Sequence, residues 1–151
     1  MLDCWEPEYN SISFDGSFNV SRIECGGVLV GLELEFIANR PYGYGNVVTV
    51  GKDLVAGESF EIYVDSDEYG VLFPTAFDIV VWEAGDITIT NSRDPIQTVV
   101  NGFVGPEYVR LECDKQIATT NVSDHKLCKD FNFHFPRLYN SFADNKNVFT
   151  V

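Results

Sequence analysis

Two histidines, four cysteines and 23 acidic residues are the groups in this 151-residue chain whose types could support catalysis or metal binding. His125 sits in a polar stretch and His134 in Phe131-Asn132-Phe133-His134-Phe135, and neither offers a base for a nucleophile triad. Both are expected at the surface or at a strand edge. The cysteines, Cys4, Cys25, Cys113 and Cys128, form no CxxC pair and have no histidine at zinc-ligand spacing. They read as reduced thiols; a Cys113 to Cys128 bridge stays open, because connectivity does not follow from sequence, and a cytoplasmic origin argues against it. Asp65-Ser66-Asp67-Glu68-Tyr69-Gly70 begins like a calcium loop, but Tyr69 replaces an oxygen ligand and Ala76 stands where the closing bidentate Glu is needed. A solvated acidic turn is the better reading. Nothing selects two carboxylates as a differently tuned pair for glycoside hydrolysis, and no glycine loop of phosphate-cradling type is present. No catalytic residue, metal or cofactor is therefore expected.

Aromatic rings are the remaining candidates, because exposed rings on a β-sandwich can stack on the apolar faces of sugars. Trp82 and Tyr139 are the residues nominated for that role. The competing reading, favoured for both, packs Trp82 in the core and leaves Tyr139 at a strand end. The formal net charge of −13 repels phosphate backbones and anionic membranes, so direct nucleic-acid or membrane binding is not expected. Solubility accounts for this charge, with a charged lumen or a basic partner as the sharper alternative. No apolar run approaches the ~20 residues of a membrane helix, and the N-terminus lacks a signal-peptide pattern. A soluble chain made in a cytoplasm is expected.

Strands must position these groups. Twelve Phe and seven Tyr, with many Val, Ile and Thr, suit pleated surfaces better than helices. Leu32-Glu33-Leu34-Glu35-Phe36 alternates, so Leu32, Leu34 and Phe36 share one face of a half-buried strand. The same period recurs in 60–64, 86–90, 109–113, 131–135 and 147–151. Phe77 to Trp82 is more continuously apolar and reads as a strand covered on both faces. Asp15-Gly16, Gly26-Gly27, the 41–45 segment, Ala84-Gly85-Asp86 and Asn101-Gly102 supply turns. A short helical turn is expected within Val122 to Lys129, where Ser123 or Asp124 could cap it. The fold class is all-β, an antiparallel sandwich, in which Ile87 to Asn91 and Val148 to Val151 are candidate unpaired edges.

Taken in order, these segments resemble a known family. Gly31 to Gly43, including Arg40-Pro41-Tyr42, resembles the end of the N-terminal ring-forming domain of distal tail proteins, found in viruses with long flexible tails. Asp67-Glu68-Tyr69-Gly70, Pro74 and Gly85-Asp86-Ile87-Thr88-Ile89-Thr90-Asn91 are similar to the opening strands of that family's galectin-like C-terminal sandwich. Asp124, Phe131 to Leu138 and Asn145 to Val151 resemble its closing pattern. The resemblance covers about residue 11 to the end.

It implies a sandwich with galectin-like or jelly-roll-like topology over 46–151, preceded over 1–45 by a remnant of the ring domain or by leading strands. It further implies a structural role at the virion tail tip after synthesis in the bacterial host cytoplasm, without catalysis. The implied partners are the tail tube, a tail-associated lysin or fibre, and a receptor-binding protein, with a hexameric ring for the complete family member. With only a remnant of the ring domain, the chain reads as a trimmed fragment or degenerate prophage product, and ring formation by it is not assumed. Arg40, Pro41, Tyr42 and Tyr44 are the candidate interface or domain junction. The alternative is a carbohydrate-binding sandwich that adheres to the cell surface, which a groove lined by solvent-facing aromatics would favour; a glycosidase would instead need two facing carboxylates in a deep cleft.

Overall fold

The computed structural model describes the backbone of Leu2–Asp3 and residues 12–151 in full. Cys4 lies outside the described residues. The chain divides into two compact units, Met1–Gly51 and Lys52–Val151.

In the first unit a short pair, β1 (Leu2–Asp3) and β2 (Ser13–Phe14), accompanies a long antiparallel hairpin of β3 (Gly16–Cys25) and β4 (Val28–Ala38). The hairpin turns at Gly26 and Gly27, both at positive φ (58° and 81°). A two-residue turn that matches the right-handed twist of the strands needs that conformation, which L side chains rarely adopt. The register places Phe18 opposite Phe36, Val20 opposite Leu34 and Arg22 opposite Leu32, with a bulge between Ile23 and Glu24. Half-burial was expected for the Leu32, Leu34, Phe36 face. Phe36 is half-buried, but Leu32 and Leu34 are exposed, Leu34 by 63%. Alternation decides which side chains share a face; it does not supply the layer that covers them.

The second unit contains β5 (Ser59–Tyr63), β6 (Gly70–Leu72), β7 (Phe77–Val81), β8 (Gly85–Asn91), β9 (Thr98–Phe103), β10 (Glu107–Glu112), β11 (Ile117–Thr120), the helical turn α1 (Leu127–Asp130), β12 (Leu138–Asn140) and β13 (Lys146–Thr150). A four-stranded sheet runs β5-β13-β8-β9, a three-stranded sheet runs β11-β10-β7, and β12 pairs with β6; every pairing is antiparallel. Both larger sheets feed one core: Ile79, Val109 and Leu111 from one, and Ile89, Val100, Phe103 and Phe149 from the other. Leu127, Phe131 and Phe135 close it from the connection between them. The fold is an all-β, sandwich-like arrangement.

Several strand assignments change in this setting. Strands β8 and β13 were candidate unpaired edges, yet both lie inside the four-stranded sheet. Strand β7 was expected to be covered on both faces. It is an edge strand paired with β10 alone, and Val80 and Trp82 project outward while Ile79 is buried. Apolar residues on the outer face had hidden its alternation. Phe131 to Phe135 is not a continuous strand, because Phe133 takes φ of 57° and swings out while Phe131 and Phe135 turn inward. Asn132 instead docks the segment on β9: its N–H donates to the Val99 carbonyl, and its Oδ1 accepts from the Val99 and His134 N–H groups.

Candidate interaction surface

The hairpin offers an apolar face built strand by strand. Phe18 and Phe36 pack at 5.2 Å between ring centroids, Val20 lies opposite Leu34, and Leu32 extends the row. On the reverse face Asn19 lies opposite Glu35 and Ser21 opposite Glu33, so the middle of this face is polar, with Ile37 and Ile23 toward its two ends. The Asn19 Nδ2 donates to Glu35 Oε2 at 3.4 Å. Such a ribbon is amphipathic in the way a half-covered sheet is, and its apolar side remains open among the described residues.

Beyond β4, the candidates Arg40, Pro41, Tyr42 and Tyr44 form an exposed cluster. Arg40 donates to the Tyr42 hydroxyl at 3.0 Å, and its guanidinium carbon lies 5.9 and 6.0 Å from the Tyr42 and Tyr44 ring centroids. The two rings meet edge-on at 5.7 Å. A guanidinium shared by two aromatic rings is a cation–π arrangement that presents charge and flat apolar area together. The cluster is anchored to β2 by reciprocal backbone bonds between Tyr44 and Ser13, at 2.7 and 2.8 Å. Gly43 suits this approach, since a Cβ there would run into the Ile12 side chain and press on the Phe14 ring.

Trp82 and Tyr139 are not brought together. Trp82 follows β7 and is 77% exposed, contrary to the favoured core placement. Its position at the end of an edge strand explains the difference. Tyr139 lies in β12, half-buried, with its N–H donating to Asn147 Oδ1 at 2.8 Å.

The ionisable groups that the sequence placed at the surface are inside. His125 Nδ1 meets Glu107 Oε1 at 2.5 Å, and both side chains are essentially sealed from solvent. The same carboxylate oxygen accepts from the Thr120 hydroxyl, while Glu107 Oε2 accepts from the Val104 N–H and His125 Nε2 donates to the Asn101 carbonyl. Burial pushes the Glu107 carboxyl up, but the hydrogen bonds from Thr120, His125 and Val104 outweigh it and hold the carboxyl below its ordinary value. With its partners satisfied and no access for a substrate, this network is a clamp between β10, β11 and the start of α1. His134 is likewise buried, with Nε2 2.9 Å from Asp94 Oδ2. Sequence reasoning missed both pairs, although one signal was present: Glu107 is in phase with Val109 and Leu111, which places it on the buried face.

Cys113 is buried, and desolvation followed by the charges of Asp114 and Asp78 pushes its thiol up to about 12. Cys25, Cys113 and Cys128 are free thiols, so the Cys113 to Cys128 bridge left open by the sequence is not formed. No group of His, Cys, Asp or Glu among the described residues is arranged to hold a metal ion, and no helix among them is long and apolar enough to cross a membrane.

No curated protein and no solved structure matches the chain. A family model described as a phage tail C-terminal domain matches residues 42–151, which takes in the whole second unit together with Tyr42 and Tyr44. On that match, the chain belongs to the phage tail C-terminal domain family and is a structural component of a phage tail.

Proposed function

We propose that this chain works at the tail tip as a distal-tail, baseplate-type hub component that joins the tube to a fibre, lysin or receptor-binding protein through protein–protein contacts. The carrying observation is the hairpin. Its Phe18, Val20, Leu32 and Leu34 present an apolar row that the described residues leave open, in a chain that carries a domain of phage tail type over residues 42–151. A two-stranded ribbon is marginal in water by itself, so a surface on a neighbouring tail subunit that covers this face would stabilise both. The Arg40, Tyr42 and Tyr44 cluster, with the stiff Pro41 inside it, suits the rim of such a contact, where Arg and Tyr are enriched. In this reading the sandwich unit docks the next protein along the tip, and the role is assembly rather than catalysis.

The test is stoichiometry. Tail particles are purified from induced source cells, and this protein is quantified against the tube subunit by mass spectrometry. A small fixed ratio is expected, and absence from intact particles would refute the reading. A Leu34→Asp variant is expected to be made and folded but lost from particles, because a charge on the open face blocks burial without touching the sandwich core.

A further inference from the structure

Strands β6 and β12 form a two-stranded sheet whose register sets Leu72 opposite Leu138 and Val71 opposite Tyr139. Leu138 packs against the core, so the alternate positions face the other way. Val71 is 46% exposed there, and Phe73, one residue past the strand and in phase with Val71, is 40% exposed. Arg137 lies just before β12, and its guanidinium carbon sits 5.6 Å from the Phe73 ring centroid. Val71, Phe73, Arg137 and Tyr139 therefore form one outward surface.

The state of its cation sets this surface apart. Arg22, Arg93 and Arg110 each lie within ion-pair distance of a carboxylate, and Arg40 donates to the Tyr42 hydroxyl. Arg137 has neither kind of partner among the described residues, in a chain of formal net charge −13. Its Nε is sealed from solvent with no acceptor, whereas the Nη nitrogens, which also lack one, are not sealed. Stacking on Phe73 thus holds the guanidinium with its outer edge turned to the surface. A sealed N–H without an acceptor lowers stability, and an apolar side chain such as Met would cover Phe73 without that cost. Folding alone gives no reason for a charge at this position.

These features define what a partner must bring. A planar guanidinium pairs best with a carboxylate, whose two oxygens match two of its N–H groups. Val71 and Phe73 beside it favour aliphatic or aromatic side chains next to that acid. Polyanions are a poor match, because a single cation is set in a strongly negative chain, with Asp67 and Glu68 just before β6. Arginine and aromatic residues together are also the composition of protein-binding hot spots.

We infer that this surface docks a segment of a neighbouring tail protein in which a carboxylate, from Asp, Glu or the chain end, is flanked by apolar residues. The carboxylate pairs with the Arg137 Nη groups, and the apolar side chains cover Val71 and Phe73. This rests on the tail-assembly role proposed above, gives the sandwich unit's contact a chemistry, and uses none of the hairpin residues.

Tail particles are assembled with the full chain carrying a diazirine-bearing amino acid at Val71, and cross-linked peptides are identified by mass spectrometry. One neighbouring tail protein is expected to cross-link, through a segment that contains an acid beside apolar residues. Arg137→Glu should cut the yield roughly 10-fold or more, the worth of a charged anchor at an interface centre. Arg137→Lys, which keeps the charge without the fork, should lie between the two. The isolated Arg137→Met chain should melt at or above the parent. Chain present in particles without a cross-link at position 71, a cross-linked segment lacking an acid, or undiminished yield with Arg137→Glu would each overturn the docking surface alone. So would a lower melting temperature for Arg137→Met, which would make Arg137 a structural prop. Absence of the chain from particles would instead remove the tail-assembly role, and this surface with it.

Discussion

Strands β3 and β4 pair Val20 with Leu34, and strands β7 and β10 pair Ile79 with Val109, each by the same antiparallel geometry. Ile79 and Val109 disappear into the core beneath a second sheet, whereas Val20 and Leu34 remain in contact with solvent. The difference lies in what faces the strand and not in the strand itself. In the sandwich unit, β8, β9 and β13 supply the opposing layer from the same chain. For the hairpin, no described residue supplies one, and the function proposed above assigns that layer to a neighbouring tail subunit. The second unit buries its strands by intramolecular packing, and the hairpin leaves an apolar row exposed among the described residues.

Large-to-small substitutions should widen that contrast most. Phe149→Ala, which empties the contact with Phe60 and Phe77, is expected to cost about 3–5 kcal/mol in urea unfolding. Leu34→Ala in the hairpin should stay within about 0.5 kcal/mol. Equal losses at the two positions would break the comparison.

The buried Glu107–His125 clamp has no counterpart among the exposed ion pairs of the hairpin, such as Arg22 with Glu24. His125→Ala, which leaves the buried Glu107 carboxylate with only its neutral donors Thr120 and Val104, should cost about 3 kcal/mol or more. Because the folded state holds the Glu107 carboxyl below its ordinary value of 4.5, this stabilisation is fully present above about pH 4.5. It is lost as the pH falls through the lower, folded value. Glu107→Gln should therefore melt lower than the parent near neutral pH and show a flatter decline on acidification, read by thermal melts from acid to neutral.

Asn147→Ala is expected to cost about 1–3 kcal/mol, since it leaves the Tyr139 N–H without its partner and removes one bond each from the Tyr139 carbonyl and the Asn91 amide. Arg40→Ala, at an exposed cluster, should change stability by no more than about 0.5 kcal/mol. Its effect belongs in particle incorporation, and no loss there would count against Arg40, Tyr42 and Tyr44 as an interface.

The all-β class and most strands were legible because alternation is a local property. Segments 60–64, 86–90 and 109–113 coincide closely with β5, β8 and β10. Strand order was not legible: β13 pairs with β5 and β8, partners far away in sequence, and periodicity carries no record of them. For that reason two interior strands read as edges and one edge strand read as interior. The 131–135 segment misled for a different reason, since one residue at positive φ interrupts a perfect alternating pattern. Of the groups with chemical potential, Glu107 could have been placed inward from its phase with Val109 and Leu111, but its pairing with His125 required the fold.

The interior position of β13 also has a consequence in time. Strand β5 is synthesised well before residues 146–150, its ladder partner among the described residues, and β8 likewise lacks one neighbour until then. The larger sheet cannot close while the ribosome is still making the chain up to that point. Until Phe149 arrives, β5 and one side of β8 wait with open hydrogen-bonding edges, the form in which a nascent β protein is most exposed to pairing with a stranger.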